Sequence, residues 1–284
     1  MRKAGFLVFF FLFSCADIVP PQAPRSASSS SFEMSSSGSA SSWSSVSSSD
    51  MPTSETSSVS SAADEGLVLW NTLGSLSELQ NSVIGLALDP GTACAYVAGR
   101  FGGAISNNRA GLRSNQARLP SAVMYLDRFA CEFWVKKNFG IVNGMGAIIT
   151  MNESGQVFHV QHRSGYGGLY RTFVEVEAAG NSLWYSVEHG GISGCNSFLP
   201  PGEWIHIAVS VNASEAAGER IRLYRNGIRQ GMVVISEAVV PHVLLGGTPY
   251  LLMSWAYDNE GFEGCLDNIK FYDYGKTNFS FGSE

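Results

Sequence analysis

The chain has 284 residues, 45% of them hydrophobic and 15% charged, with a formal net charge of −6. After residue 3 its longest basic run is the pair Lys136-Lys137, which excludes the footprint of a phosphate-backbone binder and so nucleic acid as a partner. The length leaves room for one domain of ordinary size once the N-terminal segments are set aside.

In chain order, Met1-Arg2-Lys3 supplies a basic start and Phe6 to Phe13 an apolar run too short to span a bilayer, so residues 1–14 are predicted as a signal peptide. Leu12-Phe13-Ser14-Cys15 resembles the lipobox of bacterial lipoproteins, which implies lipidation of Cys15 and anchoring to a bacterial envelope, at the outer membrane or cell surface. Phe13 stands where a small residue is usual, and free secretion is the alternative. Residues 26–61 contain 21 serines, too little apolar content to offset ordering entropy, so 15–64 is expected to be a lipidated cysteine followed by a disordered tether. As a flexible coil that tether reaches about 35 Å.

From residue 65 to 276 short β-rich runs alternate with Gly, Asn, Pro and Ser clusters, the pattern of an all-β, two-sheet antiparallel sandwich; 277–284 is left as a C-terminal tail. Strands are expected at 122–126, 129–136, 146–151, 157–162, 169–177, 182–188, 204–212, 220–224, 232–235 and 264–272. In 204–212, Ile205, Ile207, Val209 and Val211 form a core face, with His206, Ala208 and Ser210 on the non-core face. Asn226-Gly227 suits a type I′ turn, here between the strands at 220–224 and 232–235, because both positions need positive φ. A second hairpin is expected at Asn152-Glu153-Ser154-Gly155.

Phe101-Gly102-Gly103-Ala104, Glu132-Phe133-Trp134-Val135, Gly202 to Ala208, Leu223 to Gly227 and Gly264 to Tyr272 follow one another in an order that resembles the laminin-G-like jellyroll of the concanavalin A-like lectin and glucanase superfamily. The resemblance runs from about residue 65 to 275. It implies an exported binding module for glycan or for a host or envelope protein; a glycan-active enzyme with a divergent site and a structural envelope-assembly protein are the alternatives. Many glycanases of the superfamily carry Glu-x-Asp-x-x-Glu on one strand, which this chain lacks. The nearest approach is Glu175-Val176-Glu177, so no catalytic residue is assigned and the expectation is that the chain is not an enzyme. The resemblance also makes Asp267 a candidate calcium ligand, as a structural cation and the one cofactor considered.

Sugar rings stack on aromatic planes while neighbouring polar groups take the hydroxyls. On that ground Arg163, Tyr166, Tyr170, Trp184, Trp255 and Tyr257, in or near glycine-rich stretches, are the candidate ligand-binding residues. His159 and His162 are three apart on a strand and project to opposite faces, against a shared zinc. Cys94, Cys131, Cys195 and Cys265 form an even set in an exported chain, open to disulfides in three pairings, although Cys131 shares a face with Phe129, Phe133 and Val135 and is equally readable as core.

Overall fold

The computed structural model describes residues 65–92, 94–107, 115–138, 144–164, 168–253 and 262–279. The segments expected to be a signal peptide and a serine-rich tether, and Cys15, lie outside them. In chain order the elements are β1 Leu67–Asn71, α1 Leu76–Gln80, β2 Asp89–Pro90, β3 Ala95–Ala98, β4 Gly103–Asn107, β5 Ala117–Arg118, β6 Arg128–Lys137, β7 Gly144–Glu153, β8 Gln156–Ser164, β9 Tyr170–Ala178, β10 Asn181–Glu188, α2 Ile192–Phe198, β11 Trp204–Asn212, β12 Ile221–Arg225, β13 Ile228–Arg229, β14 Val233–Glu237, β15 Tyr250–Met253 and β16 Gly264–Tyr272. No helix among the described residues is long and apolar enough to cross a membrane.

The strands form two antiparallel sheets, the expected sandwich. Sheet A runs β13-β12-β11-β6-β16-β4-β3, with β1 also paired to β16; sheet B runs β14-β10-β9-β8-β7-β15-β5-β2. Alternate residues of each sheet point into one apolar layer. Phe129, Cys131, Phe133 and Val135 of β6 and Ile205, Ile207, Val209 and Val211 of β11 enter it from sheet A; Phe158 and Val160 of β8, Val174 and Val176 of β9, and Leu183 and Tyr185 of β10 enter it from sheet B. Phe129 and Phe158 meet edge-on across the layer, ring centres 5.2 Å apart.

Ser154 and Gly155, with φ of 55° and 70°, turn β7 into β8 between the paired Glu153 and Gln156. At the second turn Asn226 and Gly227 have φ of 48° and 73°, the two left-handed positions of a two-residue hairpin. Its return strand is corrected: β12 pairs with the short β13, while β14 crosses to sheet B and pairs with β10. Residues 122–126 are also not a strand. Ala122 has φ of 64°, and the segment is held instead by backbone bonds of Ala122 and Leu126 to Leu245 and Val243.

The outer face of sheet A departs from expectation too. His206, Ala208 and Ser210 are buried, and at Ala208 the chain after β16 folds over this face. Phe279, in the stretch set aside as a tail, joins Ala130, Ala208, Tyr224 and Tyr272 in a second apolar cluster. Beneath it Glu132 Oε2 lies 3.1 Å from His206 Nε2, and Tyr272 donates its hydroxyl proton to Glu132 Oε1. Burial opposes ionisation of Glu132, yet the bonds from His206 and Tyr272 and the nearby charge of Lys276 hold its carboxyl below the ordinary value.

Candidate functional site

The outer face of sheet B carries the arrangement with most chemical content. Strand alternation puts His159, Gln161 and Arg163 of β8, Arg171, Phe173, Glu175 and Glu177 of β9, and Ser182, Trp184, Ser186 and Glu188 of β10 on this face. Register sets them in rows: Arg163 opposite Arg171, Gln161 opposite Phe173, His159 opposite Glu175. The rows continue to Glu188, Ser186 and Trp184 on β10.

Phe173 forms the floor and is 1% exposed. The guanidinium carbons of Arg163 and Arg171 lie 4.8 Å and 5.5 Å from its ring centre. Trp184 is tilted beside it at 5.8 Å, and Arg171 also lies over the Trp184 ring at 5.1 Å. Phe173 and Trp184 thus hold two cations on aromatic faces, an arrangement that stabilises a guanidinium away from bulk water.

Among the described residues, the buried Gln161 Oε1, Arg171 Nε and Trp184 Nε1 on this face have no hydrogen-bond partner. Leaving such groups unpaired costs about 1–3 kcal/mol each, and together they offer one acceptor and two donors around an aromatic floor. The carboxyl of Glu175 is pushed up by burial and by Glu177, against the pull of Arg163 and Arg171. His159 is pushed down to about 4 by burial and by the charge of Arg163, and its Nδ1 lies 2.8 Å from Thr150 Oγ1.

Of the residues singled out from sequence, Arg163 and Trp184 are brought together here, both against Phe173. Tyr170 is not: it precedes Arg171 by one residue, so alternation sends it to the other face. Tyr166, Trp255 and Tyr257 lie outside the described residues. Phe173, Gln161 and Arg171 were missed. The available signal was Arg171-Thr172-Phe173-Val174-Glu175-Val176-Glu177 itself, in which a cationic, aromatic and acidic series alternates with the core residues Val174 and Val176.

The histidines and cysteines resolve differently. His159 faces out and His162 in, as expected, and His162 Nδ1 and His189 Nε2 each lie 2.9 Å from Thr172 Oγ1. Lys137, on the core-facing side of β6, is buried beside them and donates to Asn196 Oδ1 at 2.8 Å. Burial depresses both histidines, aided by the charge of Lys137; His189 is pushed down to about 4 and His162 well below its ordinary value. The disulfide expectation is corrected: Cys94, Cys131, Cys195 and Cys265 are all free thiols. Cys131 serves as a core residue, Cys195 donates to the carbonyl of Arg163 at 3.2 Å, and Cys265 lies against Ser106.

Asp267 is fully buried. Its Oδ2 accepts the backbone N–H groups of Arg100 and Phe101 at 2.6 Å and 2.9 Å, so it pins the 99–102 loop to β16. N–H donors directed at the carboxylate suit an anion and oppose a cation, and among the described residues no group of three or more His, Cys, Asp or Glu is placed to hold a metal.

A separate cleft of about 430 Å³ is lined by residues including Val68, Leu86, Val123, Met124 and Leu244. Its lining is mostly apolar, with Asp273 and Tyr125 as its polar-bearing side chains.

A family model described as the Concanavalin A-like lectin/glucanases superfamily, of laminin-G type, matches residues 111–278. No curated protein matches the chain. Among solved structures, domain 4 of a GH43 extracellular arabinanase from Geobacillus stearothermophilus, in complex with arabinotriose, is 18% identical at a TM-score of 0.50, over 74% of this chain and 94% of that one. The binding domain of Paraclostridial Mosquitocidal Protein 1 is 16% identical at 0.53, and the botulinum neurotoxin serotype D binding domain 11% identical at 0.51. This chain spans about half of each toxin chain (49%) and 74% of itself is covered. At these identities the likeness is one of fold.

The expectation that the chain is not an enzyme is corrected by the same comparison. The fold occurs as a domain of a glycoside hydrolase, so a missing Glu-x-Asp-x-x-Glu motif does not set this chain apart from enzymes. With the family model matched over more than half of its length and the two antiparallel sheets in place, the chain belongs to the Concanavalin A-like lectin/glucanases superfamily.

Proposed function

We propose that this protein recognises glycans through the outer face of sheet B. The observation that carries the reading is Trp184, packed on the buried Phe173 and flanked by Arg171, with Arg163 also against Phe173 and, among the described residues, unpaired polar atoms of Gln161, Arg171 and Trp184 beside it. An aromatic plane takes the C–H face of a sugar, and fixed donors and acceptors take its hydroxyls. A sandwich of the same fold, the arabinanase domain, was solved with arabinotriose, which supports a sugar as the ligand class.

The lipobox-like Leu12-Phe13-Ser14-Cys15 supports an exported protein held to a bacterial envelope through Cys15, with the serine-rich stretch as spacer between lipid and sandwich. In this reading the protein gathers polysaccharide at a cell surface. A glycan array probed with the full chain and with Trp184→Ala tests it. Binding that is lost in the variant supports the reading, and binding that survives unchanged overturns the assignment to this face.

A further inference from the structure

Resting on the reading of this face as a glycan site, we propose that it selects sugars bearing an anionic group, a carboxylate or a sulfate, and that Arg171 is the residue that takes the anion. Arg171 is 8% exposed, and burying a charge without a partner is costly. Among the described residues no carboxylate lies within 4.0 Å of its guanidinium, and its Nε is unpaired.

The nearby acids are otherwise engaged. Glu188 stands opposite Arg171 on β10, but its Oε1 accepts the Ser186 hydroxyl at 2.5 Å. Glu175, two residues along β9, is pushed toward its neutral form by burial and by Glu177. On the other side the cross-strand neighbour of Arg171 is Arg163, a second guanidinium. Like charges directly opposite on adjacent strands repel, and an anion shared between them turns that repulsion into attraction.

The aromatic contacts add geometry. The guanidinium carbon of Arg171 lies 5.5 Å from the centre of the Phe173 ring and 5.1 Å from that of Trp184, so two aromatic rings hold the cation in place. A planar fork held this way matches the paired oxygens of a carboxylate or sulfate. Arg171 and Trp184 stand on neighbouring strands of one sheet face, so the guanidinium is a neighbour of any sugar held at Trp184.

The test is calorimetric titration of the full chain with oligogalacturonate, with a chondroitin sulfate oligosaccharide, and with neutral arabino- and xylo-oligosaccharides, for the wild type, Arg171→Gln and Arg171→Lys. The expected result is at least tenfold tighter binding of one acidic class than of the neutral sugars, weakened by added salt. The preference is lost in Arg171→Gln and reduced in Arg171→Lys, which keeps the charge without the fork. The uronate and sulfate arms identify which anion is read. Equal affinity for acidic and neutral sugars, or an acidic preference that survives in either variant at full strength, overturns this inference and leaves the glycan reading standing. Absence of binding to every sugar overturns both.

Discussion

The guanidinium carbon of Arg171 lies 5.1 Å from the centre of the Trp184 ring, on neighbouring strands of one sheet face. Cation–aromatic contacts that are partly desolvated contribute about 0.5–2 kcal/mol. A double-mutant cycle with Arg171→Gln and Trp184→Leu is therefore expected to show a coupling of about 0.5–2 kcal/mol in unfolding free energy. Additive single effects would contradict the contact.

Phe173 beneath them is part of the packing. Replacing a buried Phe by Ala costs about 3–5 kcal/mol, so Phe173→Ala is expected to lower stability by roughly that amount, read as the denaturation midpoint at unchanged slope. A loss below about 1 kcal/mol would mean the ring is not the floor described.

Acid should destabilise the fold. Burial pushes His159 and His189 down to about 4 in the native state and His162 well below the ordinary value of 6.5. Below pH 6.5 the unfolded chain therefore binds more protons than the native one, and stability falls as pH drops from about 6.5 to about 4. Arg163 faces His159, and Lys137 faces the His162–His189 pair. Glu132, held below its ordinary 4.5, acts in the same direction at lower pH: its stabilisation is present above the unfolded value and is lost as pH falls through the native one. A melting temperature that stays level from pH 7 to pH 4 would contradict these assignments.

Asp267 is expected to act through the Gly99–Phe101 loop and not through a metal. Charged hydrogen bonds of this kind contribute about 1.5–3 kcal/mol, so Asp267→Ala should destabilise by at least about that much, while a chelator leaves the wild-type melting temperature unchanged. A chelator-induced drop that added calcium reverses would show a native-state ligand.

The proposed envelope anchor makes its own prediction. If Cys15 carries acyl chains that supply the membrane affinity, Cys15→Ala should move the protein from the membrane fraction to the soluble one. Unchanged partitioning would contradict lipidation at Cys15.

The strands that cross the centre of the sandwich were legible because each has one fully apolar face: Ile205, Ile207, Val209 and Val211, or Phe129, Cys131, Phe133 and Val135. Short edge pairings such as β2 with β5 have too few residues to show a period. The burial of Ala208 under Phe279 depends on a chain segment dozens of residues later folding back over β11, which local alternation does not report. At the site, Trp184 and Arg163 stood out as residue types, but their meeting depends on the β8–β9–β10 register. That register made Phe173 and Arg171 members of the same face and turned Tyr170 away from it.

The most direct test of the central claim is the affinity of the full chain for its best array glycan, measured for wild type, Trp184→Ala and Tyr170→Ala. Because Trp184 stands on the outer face of sheet B and Tyr170 points to the opposite face, Trp184→Ala is expected to weaken binding at least tenfold, and Tyr170→Ala to leave it unchanged. Loss of binding in Tyr170→Ala with full affinity in Trp184→Ala would contradict the account.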